Sequence, residues 1–109
     1  MNIGTNSGAS CDSGFAHAVA GICDASGFSW SMNARFRGGW ITRSQGRPAL
    51  GVHAIQMELA CRSYINEPIP AVNDTNWPPA YEEAKASEMR VTLHRIFKAC
   101  LSFARRGGG

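Results

Sequence analysis

The chain has 109 residues, a length that suits one folding unit and leaves no room for two. A hydrophobic fraction of 44% with 17% charged residues is typical of a globular chain and excludes a disordered or collagen-like one. Apolar runs of a few residues, far below the roughly 20 that span a bilayer, and an amino terminus unlike a secretory leader predict a cytoplasmic protein with no membrane partner.

The net charge of +3 comes from one arginine-rich stretch. Residues 35–62 contain no lysine, and Glu58 is the only acidic residue among them. The arginines of this stretch are Arg35, Arg37, Arg43, Arg47 and Arg62. Because a guanidinium group matches two oxygens at once, the stretch favours recognition of carboxylate or phosphate. A nucleic-acid groove is the competing interpretation, but we expect no nucleic-acid partner because no recognition helix or RNA-binding signature accompanies the arginines.

The cysteines are widely separated and form no C-x-x-C pair, so neither a zinc knuckle nor a redox motif is expected. They are Cys11, Cys23, Cys61 and Cys100. In a cytoplasmic chain they should be reduced thiols, most of them small buried hydrophobes.

The first predicted element is a short amphipathic helix. Capping residues at 10–13 precede apolar residues at helical spacing, and residues 24–27 end the pattern. Phe28, Trp30 and Met32 then alternate with polar residues, which predicts a half-buried strand.

A loop with two glycines follows at residues 34–39, then a short extended segment at 40–42 and a second loop at 46–48. Residues 51–59 are ambiguous between helix and strand by periodicity, and we favour a strand. In a strand, Gln56 and Glu58 share one face, roughly 7 Å apart, and Ile55, Met57 and Leu59 share the other.

Residues 66–79 contain four prolines and should form a long irregular connection. A final helix is indicated by Pro79 near its start and by Glu82 and Glu83 in its first turns. Its predicted apolar face consists of Met89, Leu93, Ile96 or Phe97, Cys100 and Phe103. The helix should fray near residue 106 into the three terminal glycines.

No standard phosphate-binding glycine loop occurs, and residues 27–31 miss the nucleophile-elbow pattern at its last position. These absences argue against nucleotide-binding and serine-hydrolase sites. What remains is a dense polar and glycine-rich constellation, comprising Asn33, Arg35, Gly38, Gly39, Thr42, Arg43, Gly46, Arg47, Pro48, His53, Gln56 and Glu58.

Three linked segments of this constellation resemble the carboxy-terminal part of the N-formylglutamate amidohydrolases. They run from Asn33 to Arg43, from Gly46 to Pro48 and from Gly51 to Ala60. The flanking residues 4–12 and 61–67 are also similar, so the resemblance covers residues 3–67. The final helix agrees only in general character. Three motifs in the right order are more specific than any one of them.

The resemblance implies an α/β fold, a partial three-layer sheet with flanking helices similar to the zinc-carboxypeptidase-like (phosphorylase/hydrolase-like) fold. Residues 1–109 would form a single unit that corresponds to the carboxy-terminal portion of a longer amidohydrolase domain, as though the chain were truncated. We therefore expect an incomplete core, with Trp40, Ile55 or Met57 exposed in isolation.

The function implied by the resemblance is metal-dependent hydrolysis of the formyl amide of N-formyl-L-glutamate to formate and L-glutamate, as in histidine breakdown. A divalent metal, expected to be zinc, would activate water while a carboxylate relays the proton. By similarity, Glu58 is the catalytic carboxylate. Arg35 and Arg43 would clamp the substrate's carboxylates. The remaining expected substrate-binding residues are Asn33, Gly38, Gly39, Arg47 and Gln56.

The chain departs from the family in two places. Ser44 and Gln45 stand where the family often has His-Tyr. The family's histidine-bearing metal motifs have no counterpart, so we expect no metal ligand in this chain and no hydrolysis by it alone. His53 is expected to be a hydrogen-bonded structural histidine, with a metal ligand as the alternative. A non-catalytic remnant, or a small module that binds carboxylates or nucleic acid, is the alternative to an amidohydrolase.

Overall fold

A mixed three-stranded sheet lies at the centre of the computed structural model, which describes residues 1–107. Its strands are β1 (Asn2–Gly4), β2 (Ser31–Met32) and β3 (Gln56–Glu58), in the order β2-β1-β3. β1 runs parallel to β2, with Ile3 opposite Met32, and antiparallel to β3, with Ile3 opposite Met57. The first residues of the chain therefore form the central strand.

Three helices accompany the sheet: α1 (Ser13–Ala25), α2 (Trp40–Gln45) and α3 (Glu83–Arg105). The Asp12 side chain caps α1 by accepting a hydrogen bond of 2.8 Å from the Gly14 N–H. Single 3₁₀ turns occupy Pro48–Leu50 and Cys61–Ser63. The predicted first and last helices and the irregular connection at 66–79 are confirmed.

The core forms where α1 and α3 pack together against one face of the sheet. Ile3 of β1, Val19 and Cys23 of α1, and Ile96 of α3 are each no more than 2% exposed. Met57 is partly buried against this cluster. Burial of apolar surface on one face of the sheet is the main stabilising contribution in a chain of this size.

The apolar face of α3 agrees with its predicted composition. Met89 and Ile96 are buried, and Leu93, Cys100 and Phe103 pack partly buried against the core or beside it. Phe97, the alternative to Ile96, points into solvent. The helix ends at Arg105, as its expected fraying suggests, and two of the three terminal glycines, Gly108 and Gly109, lie outside the described residues.

Three local predictions need correction. Residues 40–42, expected to be extended, begin α2, because the Arg43 N–H bonds to the Gly39 carbonyl and the Gly46 N–H to the Thr42 carbonyl. Both predicted strands are shorter than their alternating patterns, because only the residues that reach β1 find a pairing partner. β1 itself was not predicted, since one apolar residue between Asn2 and Gly4 shows no periodicity.

The four cysteines are all free. Within residues 1–107, no helix combines the length and the apolar content that a membrane span needs. Trp40 is exposed, as expected of an incomplete core, whereas Ile55 and Met57 are partly buried.

Candidate active site

The two faces of β3 have different surroundings. Ile55 and Met57 pack against the helical core, while Gln56 and Glu58 share the opposite parity, as the strand interpretation predicted. Gln56 Nε2 donates a hydrogen bond of 3.2 Å to Glu58 Oε2. The carboxylate of Glu58 therefore lies in solvent with one of its oxygens held by a neighbouring amide.

The glycine loop before α2 reaches the same amide. The Gly39 N–H donates a hydrogen bond of 2.7 Å to Gln56 Oε1. With its oxygen accepting from Gly39 and its nitrogen donating to Glu58, the Gln56 amide is fixed in one orientation. Gln56 thus links the glycine loop to the carboxylate.

Arg43 is anchored to the same loop, one turn into α2. Its Nη1 donates to the Gly38 carbonyl at 3.0 Å, and the side chain is exposed. Gly38 has a φ of +116°, and a Cβ there would lie 2.7 Å from Thr42 Cγ2. Only glycine can hold this loop against α2 without strain.

Hydrogen bonds from β1 and from the turn after it hold the glycine loop in place. The Asn6 N–H donates to the Arg37 carbonyl at 2.7 Å, and Asn2 Nδ2 donates to the Phe36 carbonyl at 2.6 Å. A Cβ at Gly4 would lie 2.8 Å from the Gly38 nitrogen. Asn2 and Gly4 carry no sequence signal for this site, because only the pairing of β1 with β3 places them next to the loop.

The side chain of Asn33 is hydrogen-bonded to other residues of the chain. Its Oδ1 accepts from the backbone N–H of Thr5 at 2.8 Å, and its Nδ2 donates to Thr5 Oγ1 at 2.7 Å. It holds a left-handed φ of +51°, which asparagine tolerates better than most residues. These contacts join the end of β2 to the turn after β1.

The structure brings Gly38, Gly39, Arg43, Gln56 and Glu58 into one hydrogen-bonded group. The two other predicted substrate-binding arginines, Arg35 and Arg47, form no hydrogen bond with this group. Arg35 is exposed with its guanidinium carbon 5.7 Å from the centre of the Phe36 ring. Arg47 is exposed and pairs through its backbone with Val52. Their roles in binding stay predictions.

His53 is held by the first turn of α1. Its Nδ1 accepts a hydrogen bond of 3.0 Å from the Asp12 N–H, so the neutral ring carries its proton on Nε2. Nε2 is buried and has no hydrogen-bond partner in the part of the chain that the structure describes. The ring packs edge-on against Phe103 at 4.9 Å. The contacts fit the structural interpretation of this histidine.

The donor set does not fit the divalent metal that the resemblance implies. Within residues 1–107, no three His, Cys, Asp or Glu side chains converge on one point. The hydrogen-bonded neighbour of the Glu58 carboxylate is an amide, not a second metal-binding group. The side chains of residues 1–107 therefore offer no clustered ligand set for such a metal.

Three of the thiols are wholly or partly enclosed by the core. Burial raises the pKa of Cys11, with a further contribution from the nearby Asp12 charge, and burial also raises the pKa of Cys23 and Cys100. Such thiols are poor nucleophiles at neutral pH. Cys11 and Cys23 are buried in the hydrophobic core, and Cys100 packs partly buried against it.

Comparison with known proteins identifies the same family as the motifs. The sequence model of N-formylglutamate amidohydrolase matches residues 1–65. The N-formylglutamate deformylase of Pseudomonas putida is 40% identical over 104 residues, which are 94% of this chain and 36% of the relative. The protein of the same name from Pseudomonas aeruginosa is 38% identical over 106 residues, 96% of this chain and 37% of the relative. No solved structure matches the chain.

The chain thus spans little more than a third of the length of the relatives that it matches. The matched stretch includes the glycine loop, Arg43, Gln56 and Glu58, which are the residues that the structure joins by hydrogen bonds. On the strength of this match over more than half of its length, the chain belongs to the N-formylglutamate amidohydrolase family.

Proposed function

We propose that this chain supplies the catalytic carboxylate and the anion-binding loop of an enzyme that hydrolyses N-formyl-L-glutamate to formate and L-glutamate, a step of histidine breakdown. The observation that carries the proposal is the hydrogen-bonded series from Gly39 through Gln56 to Glu58. It holds an exposed carboxylate beside the glycine loop that precedes α2. Family membership and the names of the two Pseudomonas relatives support the substrate.

Glu58 is proposed as the proton relay. One Glu58 oxygen accepts the Gln56 hydrogen bond, which leaves the other oxygen free to take a proton from the attacking water. The water oxygen bonds to the formyl carbon, the carbon–nitrogen bond breaks, and the proton passes from Glu58 to the departing nitrogen. General acid–base catalysis of this kind contributes about 10²–10⁴-fold in rate.

Arg43 and Arg35 are proposed to bind the two carboxylates of the substrate. Arg43 is already tethered to the Gly38 carbonyl, so its guanidinium loses less freedom on binding than that of an untethered arginine. The backbone of Gly38 and Gly39 is proposed to lie beside the bound substrate. Arg47 is proposed as an outer cationic contact, and Asn33 as the residue that holds the supporting turn in place.

The finer architecture is also a proposal. We infer that residues 1–109 are one unit, equivalent to the carboxy-terminal portion of a three-layer domain of the zinc-carboxypeptidase-like type. The described sheet, with helices packed on the Ile3 face and Glu58 on the other, supports this. The expected divalent metal has no ligand set in residues 1–107, so the roles proposed for this chain are confined to its carboxylate and its cations.

Binding of the substrate's carboxylates by Arg35 and Arg43 is tested in a chimaera. In it, this chain replaces the matched stretch of the Pseudomonas putida deformylase. Release of formate from N-formyl-L-glutamate is measured for the unmodified chimaera and for Arg35→Ala, Arg43→Ala and the exposed control Arg62→Ala. Arg43→Ala and Arg35→Ala should raise KM with a smaller effect on kcat, and Arg62→Ala should change neither. An unchanged KM in both clamp variants contradicts the assignment.

A further inference from the structure

Five large apolar side chains are exposed in one stretch of the chain, and we define them as the 36–52 surface: Phe36, Trp40, Ile41, Leu50 and Val52. Trp40, Ile41 and Leu50 are 69%, 70% and 72% exposed. Single exposed apolar residues are ordinary, but a tryptophan and an isoleucine exposed on one helical turn beside a candidate site are typical of an interaction surface.

The surface belongs to the segment that builds the candidate site. Trp40 and Ile41 lie in the first turn of α2, directly after the glycine loop, and Arg43 follows in the same helix. Thr42 is the buried residue of α2 and faces the protein. The helix therefore directs Trp40 and Ile41 towards solvent. Whatever covers Trp40 and Ile41 therefore lies next to the loop that carries Arg43.

Val52 also lines an apolar pocket of about 450 Å³. Phe15, Ile55, Cys100 and Phe103 are among the residues that line it. His53 is also part of the wall, and its buried Nε2 proton lacks an acceptor among residues 1–107. An open pocket lined largely by apolar side chains offers further apolar area to a polypeptide that covers Val52.

The length of the relatives indicates the occupant. This chain matches 36% and 37% of the two Pseudomonas deformylases, so close to two thirds of each relative has no counterpart here. We propose that the 36–52 surface binds an apolar face of a polypeptide equivalent to that unmatched portion, whether it is joined to this chain or separate from it. The assembled unit would then place the partner's groups beside Glu58 and Arg43.

α3 also exposes apolar residues, but in a different setting. Val91 lies among Arg90, His94, Arg95 and Lys98 along the same side of the helix. Apolar residues interleaved with cations in this way are typical of a solvated helix face. Leu101 of α3 and Ile69 of the irregular connection therefore serve as exposed controls.

The test is co-expression of the tagged 109-residue chain with the unmatched portion of the Pseudomonas putida deformylase. The two should co-purify as a 1:1 complex. Trp40→Ser and Ile41→Ser should each weaken the complex by about tenfold or more, as for a central apolar contact, whereas Leu101→Ser and Ile69→Ser should not. Absence of a complex, or equal binding by all variants, overturns the proposal.

A second measurement does not depend on two separate fragments. Hydrogen exchange at residues 36–52 is compared between the isolated chain and the chimaera with the deformylase. The amides of 36–52 should be protected in the chimaera, and those of 66–82 unchanged; equal exchange at 36–52 contradicts the proposal. The proposal is also overturned if the isolated chain is a dimer that Ile41→Ser converts to a monomer. The occupant of the 36–52 surface would then be a second copy of this chain.

Binding and catalysis are separable in these experiments. Glu58→Gln leaves the 36–52 surface intact, so the variant should form the complex as the unmodified chain does. A complex that forms without formate release would support the proposed interface and contradict the proposed function. Formate release by the chimaera without protection of residues 36–52 would support the proposed function and contradict the interface.

Discussion

The backbone N–H of Gly39 and the side-chain oxygen of Gln56 are joined by a hydrogen bond of 2.7 Å, although 17 positions separate them in the chain. This bond ties the loop before α2 to β3. Because the Gln56 nitrogen also donates to Glu58, the loop and the proposed catalytic carboxylate are held in a common frame.

The first prediction concerns that bond. In Gln56→Ala, the Gly39 amide loses its acceptor, and its hydrogen exchange should accelerate by about 5- to 10-fold, as expected for the net worth of one hydrogen bond. Amide exchange followed by NMR measures this directly. Gln45→Ala is the control, since Gln45 is exposed and bonds only to its neighbour Ser44. An unchanged Gly39 rate would mean that the amide is protected by something else.

The second prediction concerns Gly38. Alanine there must adopt a φ of +116° and place its Cβ within 2.7 Å of Thr42. The Gly38→Ala variant should lose about 1–3 kcal/mol of free energy of unfolding. Gly21→Ala is the matched control, because Gly21 is an exposed position in α1 with open space around it. It should gain about 0.5–1 kcal/mol. Urea denaturation measures both, and equal effects would exclude the proposed strain.

The third prediction concerns Asn33. Asn33→Ala leaves the buried Thr5 with an unpaired N–H, and the variant should be less stable by about 1–3 kcal/mol. Asn33→Asp keeps the acceptor oxygen and should lose less. The exposed Ser102→Ala should stay within about 0.5 kcal/mol of the parent. Thermal or urea unfolding checks the order; equal stability of Asn33→Ala and the parent would refute the structural role.

The fourth prediction concerns the thiols. Since burial raises the pKa of Cys11 and Cys23 above the ordinary value of 9.0, their thiolate fraction at pH 8 is low. Iodoacetamide should modify the half-buried Cys61 first, as peptide mass spectrometry would show. The folded chain also holds these thiol protons more tightly than the unfolded chain. Their stabilising contribution is therefore complete below about pH 9 and declines as the pH rises further. Modification of Cys11 as fast as that of Cys61 would contradict their burial.

The sequence was sufficient for the parts of the fold with a clear period. The 3.6-residue spacing of Phe15, Val19 and Cys23 predicts α1, and that of Met89, Leu93 and Ile96 predicts α3. The alternation around Gln56 and Glu58 correctly places both side chains on one face of β3.

The remaining features depend on tertiary contacts. Trp40 and Ile41 have high strand propensity, yet they form the exposed first turn of α2, because Gly39 and Thr42 supply the helical hydrogen bonds. β1 has one buried apolar residue, Ile3, so its central place depends wholly on pairing with segments about 30 and 55 residues away. The close approach of Gly4 to the loop follows from that pairing.

The candidate site shows the same division. Motif resemblance predicted eight site residues, of which hydrogen bonds join Gly38, Gly39, Arg43, Gln56 and Glu58. The other predicted residues are Asn33, Arg35 and Arg47, and their side chains take no part in this hydrogen-bonded group. The motif does not predict that the Asn33 side-chain amide is hydrogen-bonded to Thr5, because that contact requires β1 and β2 to lie side by side.

The central claim is that Glu58 relays the proton in formyl-amide hydrolysis, and Glu58→Gln tests it most directly. In the chimaera with the Pseudomonas putida deformylase, formate release from N-formyl-L-glutamate is measured for the unmodified chain, for Glu58→Gln and for the exposed control Glu67→Gln. We expect kcat to fall by about 100-fold or more in Glu58→Gln with KM little changed, and to be unaffected in Glu67→Gln. Undiminished turnover in Glu58→Gln would contradict the assignment.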